Sequence, residues 1–216
     1  MRFGHEQHPV HASSDARALG VQDLVVIAVK APSLVDVARQ VGPLIGPNTV
    51  VLTAMNGVPW WFFNGFGGNF AGTQLQAVDA NREIAAALPA AHVVGCVVHA
   101  SCSVTAPGVI RHHFGNGLII GESSGQQNQR VLALAELLAR AGFSATVSAQ
   151  IQKDVWYKLG AFKTSMLQDM EAGKAVELDA LVTVVKELGT LTGVATPFTD
   201  ALLGLSRLQA RVRGLY

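Results

Sequence analysis

The chain has 216 residues, of which 50% are hydrophobic and only 14% are charged, and its formal net charge is +1. This balance excludes a nucleic-acid-binding protein that depends on a basic surface, and no apolar run reaches the roughly 18 residues of a membrane helix. Two cysteines and an N-terminus without an apolar leader segment predict a cytoplasmic protein without a disulfide framework. Because charged residues typically make up about 25% of a globular protein, the chain is expected to bury surface against a partner or to lack part of its polar exterior.

The first elements form a strand–helix–strand unit. Residues 23–30 are a continuous, β-branched apolar run that ends in a charge, which is typical of a parallel strand buried on both faces. Residues 33–45 have the apolar spacing of a helix, and residues 49–55 are a second strand of the first type. Since a helical connection between parallel strands is a right-handed crossover, the pattern predicts a βαβ unit.

Further elements follow before residue 150. The aromatic residues 60–63 are expected in the core or in an interface, and residues 92–104 are predicted to form a third strand. Residues 128–141 have the pattern of an amphipathic helix that ends at Gly142.

A hairpin is predicted between the third strand and this helix. Residues 109–114 and 117–122 alternate as strands, and Gly115-Asn116 between them has the composition of a two-residue turn.

From about residue 150 the pattern is helical, with predicted helices at 155–159, 165–172 and 179–191. The chain is therefore expected to be α/β first, with a parallel sheet in residues 1–149, and to continue as a smaller all-α domain in residues 150–216.

Polar side chains stand where two consecutive strands end. Lys30 closes the first strand and Asn56 follows the second, and open α/β sheets bind ligands in the crevice outside the carboxyl ends of their strands. The alternative, which has about equal weight, is a solvated charge at Lys30 and a simple turn at Asn56-Gly57.

The helical part offers three more candidates, each with a structural alternative. Ser165 and Gln168 fit a capping box, although a helix N-terminus also presents free N–H groups to a substrate carboxylate. Glu177 precedes the 179–191 helix, where a carboxylate also simply favours the helix dipole. Lys158, taken alone, is an ordinary exposed helix lysine. The two cysteines lack the spacing and partner ligands of a zinc site, so no metal is expected.

Taken together, several segments resemble the ketopantoate reductases (2-dehydropantoate 2-reductases), and they occur in the order of that family. The resemblance is carried by Val29-Lys30-Ala31, Asn56-Gly57-Val58-Pro59, Pro107-Gly108-Val109-Ile110, Val155-Trp156-Tyr157-Lys158-Leu159, Ser165-Met166-Leu167-Gln168-Asp169 with Glu177, and Gly193-Val194-Ala195-Thr196-Pro197.

The resemblance implies a Rossmann-like sheet and NADPH-dependent reduction of 2-dehydropantoate to (R)-pantoate, in pantothenate biosynthesis. Lys158 would donate a proton to the carbonyl oxygen, which is reasonable because an ammonium both stabilises the developing charge and supplies the proton. The partner implied is a small 2-oxo acid, and the oligomeric state is left open between a monomer and a homodimer. The resemblance implies substrate contacts from Asn56, Lys158 and Ser165, and cofactor contacts from Lys30, Asn56, Ser101 and Glu177.

The chain departs from this family pattern at two places. The strand and G-x-G-x-x-G turn that hold the cofactor pyrophosphate are not present, so the Rossmann-like sheet is expected to be incomplete at its N-terminus and NADPH binding to be weak or absent. A helical stretch is also expected to be missing after Gly160, where Phe162 occupies the position of a family asparagine. The alternatives are a non-catalytic remnant that acts as an interaction protein, and a related reductase of another 2-oxo acid.

Overall fold

A five-stranded mixed sheet is the centre of the molecule. The computed structural model describes residues 8–160, 169–170 and 173–216. The strands lie in the sheet in the order of the chain: β1 (Leu24–Ile27), β2 (Val50–Ala54), β3 (Val93–Ala106), β4 (Val109–Gly121) and β5 (Ser144–Val147). The first three are parallel, β4 runs antiparallel to β3, and β5 is parallel to β4. The α/β prediction is therefore confirmed, with the antiparallel step between β3 and β4.

Helices connect and follow the strands. They are α1 (Leu34–Val41), α2 (Gln76–Asp79), α3 (Glu83–Ala87), α4 (Gln129–Arg140), α5 (Ile151–Gly160), α6 (Val184–Thr192) and α7 (Pro197–Val212). A π-helical turn, Asp179–Thr183, leads directly into α6. Asn128 caps α4 by accepting a hydrogen bond from the backbone N–H of Val131, as its position before the helix predicts. No helix in the described ranges is both long and apolar enough to cross a membrane.

The predicted hairpin turn at Gly115-Asn116 is wrong. β4 runs without interruption from Val109 to Gly121, and the chain reverses instead between β3 and β4, where Gly108 has a φ of 74°. In the ladder, His99 pairs with Gly117 but Ser101 pairs with Phe114. Two residues of β4 thus face one residue of β3, which is a β-bulge. Gly115 has a φ of 73°, a backbone conformation that favours glycine in a turn and in a bulge alike. The pairing of β4 with β3 decides which of the two forms.

Each face of the sheet has its own hydrophobic core. On one face, Val25, Ile27 and Val51 pack against α1, α3, α5 and α6 and against the aromatic residues 60–63. These four aromatic residues are buried. On the other face, Leu52, Val94 and Ile120 pack against α4. The expectation that residues 60–63 belong to the core is confirmed.

The helices after residue 150 also contact the sheet. Ile151 and Val155 of α5 and Val184 and Leu188 of α6 belong to the first of these cores. A smaller cluster joins Val176 and the π-helical turn to α7. The division into domains 1–149 and 150–216 stays a prediction, and the packing places the first turns of α5 directly against the sheet.

Candidate functional site

A cavity of about 380 Å³ opens at the carboxyl ends of β1 and β2. This is the edge where open α/β sheets bind ligands, and the volume falls in the usual range for small-molecule sites of roughly 300–1,000 Å³. Its walls are mostly apolar, and a few polar groups reach it. The residues that matter below are Asn56, Trp60, Trp61, Val155, Glu177 and Tyr216.

One wall of the cavity is held by an ion cluster around Lys30. The Lys30 Nζ lies 3.2 Å from Oε2 of Glu177 and 2.9 Å from Oδ2 of Asp169. Glu177 also accepts the backbone N–H of Ala31 through Oε1 at 2.9 Å. The glutamate side chain is only 10% exposed, so the chain between α5 and the π-helical turn is joined to the end of β1 by a nearly buried carboxylate.

The charges around Lys30 determine its protonation. Burial acts to lower the pKa of the Lys30 ammonium, but the hydrogen bond to Asp169 and the charge of Glu177 outweigh it, and the net pKa is raised. Lys30 is half exposed and also has two carboxylate partners, so it is an ion-paired charge after β1, and its contact with a ligand stays a prediction. Asp169 was not identified as one of them, since a partner 139 positions away leaves no local pattern in the sequence.

Removing the Glu177 carboxylate is expected to destabilise the fold. In Glu177→Ala the Ala31 N–H and the Lys30 ammonium both lose a partner, and we expect a loss of about 1–2 kcal/mol, since half-exposed Lys30 stays hydrated. Glu177→Gln still offers an oxygen to the Ala31 N–H, so its loss should be smaller. Urea unfolding of the three proteins at neutral pH measures this, and equal stabilities would contradict the ion cluster.

The same comparison at alkaline pH tests the Lys30 charge. Because the folded-state pKa of Lys30 is raised above 10.5, its stabilising contribution is complete below that pH and is lost as pH rises through the folded-state value. The stability difference between the wild-type protein and Glu177→Gln should therefore shrink in that alkaline window.

Asn56 joins the end of β2 to the middle of β3. Its Nδ2 donates to the carbonyl of Val98 at 3.2 Å, and its Oδ1 accepts the Val98 N–H at 3.0 Å. The regular β2–β3 ladder ends at Ala54 and Cys96, so the amide side chain extends the pairing of the two strands beyond it. Asn56 also lines the cavity, and its contact with a ligand stays a prediction.

Lys158 reaches the middle of β3 from α5. Its Nζ lies 3.5 Å from Nδ1 of His99, the residue that follows Val98. Burial and the positive charge of Lys158 lower the pKa of His99, with a smaller opposing effect from Asp154. A neutral imidazole is able to accept a hydrogen bond from the ammonium. His99 was missed, because it lies in the middle of β3, and the strand-end argument applied to Lys30 and Asn56 does not reach it.

The contact between Lys158 and His99 can be tested without an activity assay, through the pKa of His99. Because the charge of Lys158 depresses the pKa of His99, Lys158→Met should raise that pKa towards the ordinary value of 6.5. Titration of the His99 ring by NMR measures it. Lys153→Met, on the same helix, is the matched control and should leave His99 unchanged, whereas equal pKa values in wild type and Lys158→Met would contradict the contact.

The two serine candidates are located differently. Ser101 lies in the part of β3 that extends beyond the parallel sheet, where it pairs with Phe114. Ser165 lies outside the described residues, and so does its capping partner Gln168. The structure thus brings Asn56 and Glu177 to one cavity, with Lys30 ion-paired to Glu177 beside it, and places Lys158 next to His99 of β3.

Comparison with known proteins agrees with this arrangement. The sequence profile of the family described as ketopantoate reductase PanE/ApbA matches residues 3–125, and the profile of its C-terminal part matches residues 89–210. The two matches together extend over nearly the whole chain.

Individual relatives are similar over almost as much of the chain. A 2-dehydropantoate 2-reductase of Mesorhizobium japonicum is 37% identical, and the alignment covers 96% of this chain and 83% of the relative. It extends over 270 residues, more than the 216 of this chain, so the relative has stretches within the aligned region that this chain lacks. A structure from Ralstonia solanacearum MolK2 that is assigned to the ketopantoate reductases has a TM-score of 0.91 at 41% identity, covering 98% and 84% of the two chains.

More distant structures share the fold alone. A dimeric ketopantoate reductase from Staphylococcus aureus has a TM-score of 0.66 at 17% identity, covering 90% of this chain and 79% of its own. D-mandelate dehydrogenase, solved with NADH and anilino(oxo)acetate, has a TM-score of 0.69 at 16% identity, covering 90% and 78%. From the family profiles and the close relative, the chain belongs to the ketopantoate reductase PanE/ApbA family of oxidoreductases.

Proposed function

We propose that the protein carries out the NADPH-dependent reduction of 2-dehydropantoate to (R)-pantoate, with Lys158 as the proton donor. The observation that carries the proposal is the position of Lys158 on α5, beside His99 in the middle of β3 and one turn after a cavity residue, Val155. The 37% identity to a 2-dehydropantoate 2-reductase supports the choice of substrate.

The proposed chemistry assigns one task to each part of the site. NADPH supplies the hydride when it is bound. As negative charge builds on the carbonyl oxygen, the Lys158 ammonium stabilises it and transfers a proton. Neutral His99 accepts one hydrogen bond from the Lys158 ammonium. The other protons of that ammonium remain available to the substrate. In this proposal the substrate also contacts Asn56, and its carboxylate is received at Ser165.

The residues present fit one end of such a cofactor. The apolar cavity beside Asn56 suits a nicotinamide ring, and Glu177 is a polar group in its wall. In this proposal Lys30, which is ion-paired to Glu177 beside the cavity, contacts the cofactor. Ser101 would contact the cofactor further along β3. The 216 residues contain no G-x-G-x-x-G turn to hold a pyrophosphate, so cofactor affinity has to be measured separately from turnover.

Two assays on the purified protein test the proposal. NADPH titration, followed by quenching of Trp60 and Trp61 in the cavity walls, reports cofactor binding. Loss of NADPH absorbance in the presence of 2-dehydropantoate reports turnover. Binding without turnover would refute the substrate, and the lack of quenching at millimolar NADPH would refute the cofactor.

A related reductase of another 2-oxo acid is the second candidate. Trp60 and Trp61 make the cavity wall aromatic, which favours a substrate with a larger apolar side chain than that of 2-dehydropantoate. Comparing kcat/KM for 2-dehydropantoate with that for phenylglyoxylate, the 2-oxo acid related to mandelate, distinguishes the two. A higher value for phenylglyoxylate would favour the second candidate.

A further inference from the structure

The chain turns back towards the candidate cavity where α7 ends. Gly214 has a φ of 67°, and its N–H donates to the carbonyl of Arg211 at 3.0 Å. The next N–H, of Leu215, donates to the carbonyl of Ala210 at 2.8 Å. These two bonds form a Schellman motif, in which glycine is the preferred residue. The motif directs Leu215 and Tyr216 to the cavity, and both of them line it.

Two contacts join this turn to the cavity wall that contains Glu177. The carbonyl of Leu215 accepts the N–H of Val176 at 3.2 Å. The hydroxyl of Tyr216 donates to Oδ1 of Asp179 at 2.8 Å. Since Val176 and Asp179 also line the cavity, the turn is fixed to the wall just before and just after the glutamate.

The aromatic ring of Tyr216 is held from α7. The guanidinium carbons of Arg207 and Arg211 lie 5.7 and 5.8 Å from its centre, within reach of a cation–π contact. Burial and the charge of Asp179 raise the pKa of the Tyr216 hydroxyl, with a smaller opposing effect from Arg207, so the hydroxyl keeps the proton that it donates. Tyr216 is thus fixed both through its hydroxyl and through its ring.

The carboxylate that binds the Tyr216 hydroxyl belongs to the π-helical turn. Such turns are rare, and they occur frequently at functional sites. Asp179 Oδ1 also accepts a hydrogen bond from Oγ1 of Thr183, at the other end of the turn, at 2.7 Å. Asp179 and Ala180 line the cavity. The π-helical turn therefore supports the cavity wall and the tyrosine together.

Tyr216 lies between the cavity and the solvent. It is 41% exposed, whereas Trp60 and Trp61, which line the same cavity, are 8% and 2% exposed. The phenol ring is therefore at the mouth, and the indole rings are further inside. The volume of about 380 Å³ is near the lower limit for small-molecule sites, roughly 300–1,000 Å³. Removing a ring at the mouth enlarges both the opening and the space for a ligand.

We propose that Tyr216 is a specificity-determining residue of this site: it narrows the mouth of the cavity and limits entry to small 2-oxo acids. The class of ligand rests on the proposed function, whereas the position of Tyr216 at the mouth does not. A bulkier 2-oxo acid has to displace the phenol ring, which breaks its hydrogen bond to Asp179 and its contacts with Arg207 and Arg211.

Quenching of tryptophan fluorescence by acrylamide tests the position of Tyr216 without an activity assay. The chain has three tryptophans, so in a Trp156→Phe background the signal comes only from Trp60 and Trp61. Tyr216→Ala should raise the quenching constant, because acrylamide reaches the indoles through the opened mouth. Tyr216→Phe keeps the ring and should stay close to the background protein. Tyr157→Ala removes the other tyrosine, which is exposed on α5, and as the control should leave the constant unchanged.

Thermal melts followed by circular dichroism check that these variants are folded. Tyr216→Leu, which removes the ring but keeps an apolar side chain, replaces Tyr216→Ala if the alanine variant does not fold. A quenching constant that stays at the background value when the ring is removed would overturn the proposal. An equal rise in Tyr157→Ala would overturn it as well.

Turnover tests the specificity. The wild-type protein should prefer 2-dehydropantoate to 4-phenyl-2-oxobutanoate, whose phenyl ring makes it the bulkier acid. Tyr216→Ala should raise the kcat/KM ratio of the bulkier acid to 2-dehydropantoate by about tenfold or more, the scale of discrimination by a contact in an apolar pocket. Tyr216→Phe should restore the wild-type ratio, whereas general damage to the fold would lower both values together.

An unchanged ratio in Tyr216→Ala would overturn the proposal. If the wild-type protein turns over neither acid, the proposed function fails, and the quenching constants then decide the proposal about Tyr216.

Discussion

Replacing Lys158 with methionine is expected to lower kcat for 2-dehydropantoate reduction by about 10²–10⁴-fold, the usual contribution of a positioned general acid. Methionine keeps the length and apolar stem of the side chain but has neither charge nor proton. Because α5 is held to the sheet through Ile151 and Val155 rather than through Lys158, the variant should fold and bind its ligands. The loss should therefore appear in kcat more than in KM.

Two further variants separate the charge of Lys158 from its proton. Lys158→Arg keeps a positive charge but holds its proton too tightly to transfer it, so its activity should remain well below that of the wild type. Lys153→Met removes a different lysine of α5 and should leave kcat unchanged. If Lys158→Met kept more than about a tenth of the activity, Lys158 would not be the proton donor.

Replacing Trp61 with alanine is expected to lower the free energy of unfolding by about 3–5 kcal/mol, as for other large aromatic residues truncated in a core. Trp61 is 2% exposed and packs on the sheet in the same core as Val51 and Val97. Its indole covers Gly95 of β3 so closely that a Cβ at that position would collide with the ring.

Trp156→Ala is the matched control for this effect. Trp156 lies on α5 and is 42% exposed, so its loss should cost less than about 1 kcal/mol on the scale of surface substitutions. Urea unfolding of both variants measures the difference. Similar values for the two would mean that Trp61 is not packed as the structure shows. Trp61→Ala should also widen the cavity wall and weaken ligand binding.

Local sequence patterns were sufficient for much of the fold. The apolar runs of β1 and β2, the helical spacing of α1 and the end of α4 before Gly142 are set by neighbouring residues. The structure has these elements within the predicted ranges, although β1 and α1 are shorter than predicted. The hairpin between β3 and β4 was placed in the wrong turn. Gly115 satisfies a turn or a bulge equally well, and the choice depends on the pairing of β4 with β3, which is a contact between strands.

In the candidate site too, some features are predicted from local sequence and others depend on tertiary contacts. By itself, the sequence determined that Lys30 and Asn56 follow two apolar strands, because the apolar runs before them are local patterns, and through family motifs it singled out Lys158 and Glu177. Only the tertiary structure decided the partners of these residues. Lys30 meets Glu177 across 147 positions and Lys158 meets His99 across 59. Such contacts are set by how the helices pack on the sheet, and residues so far apart leave no joint period or spacing in the sequence.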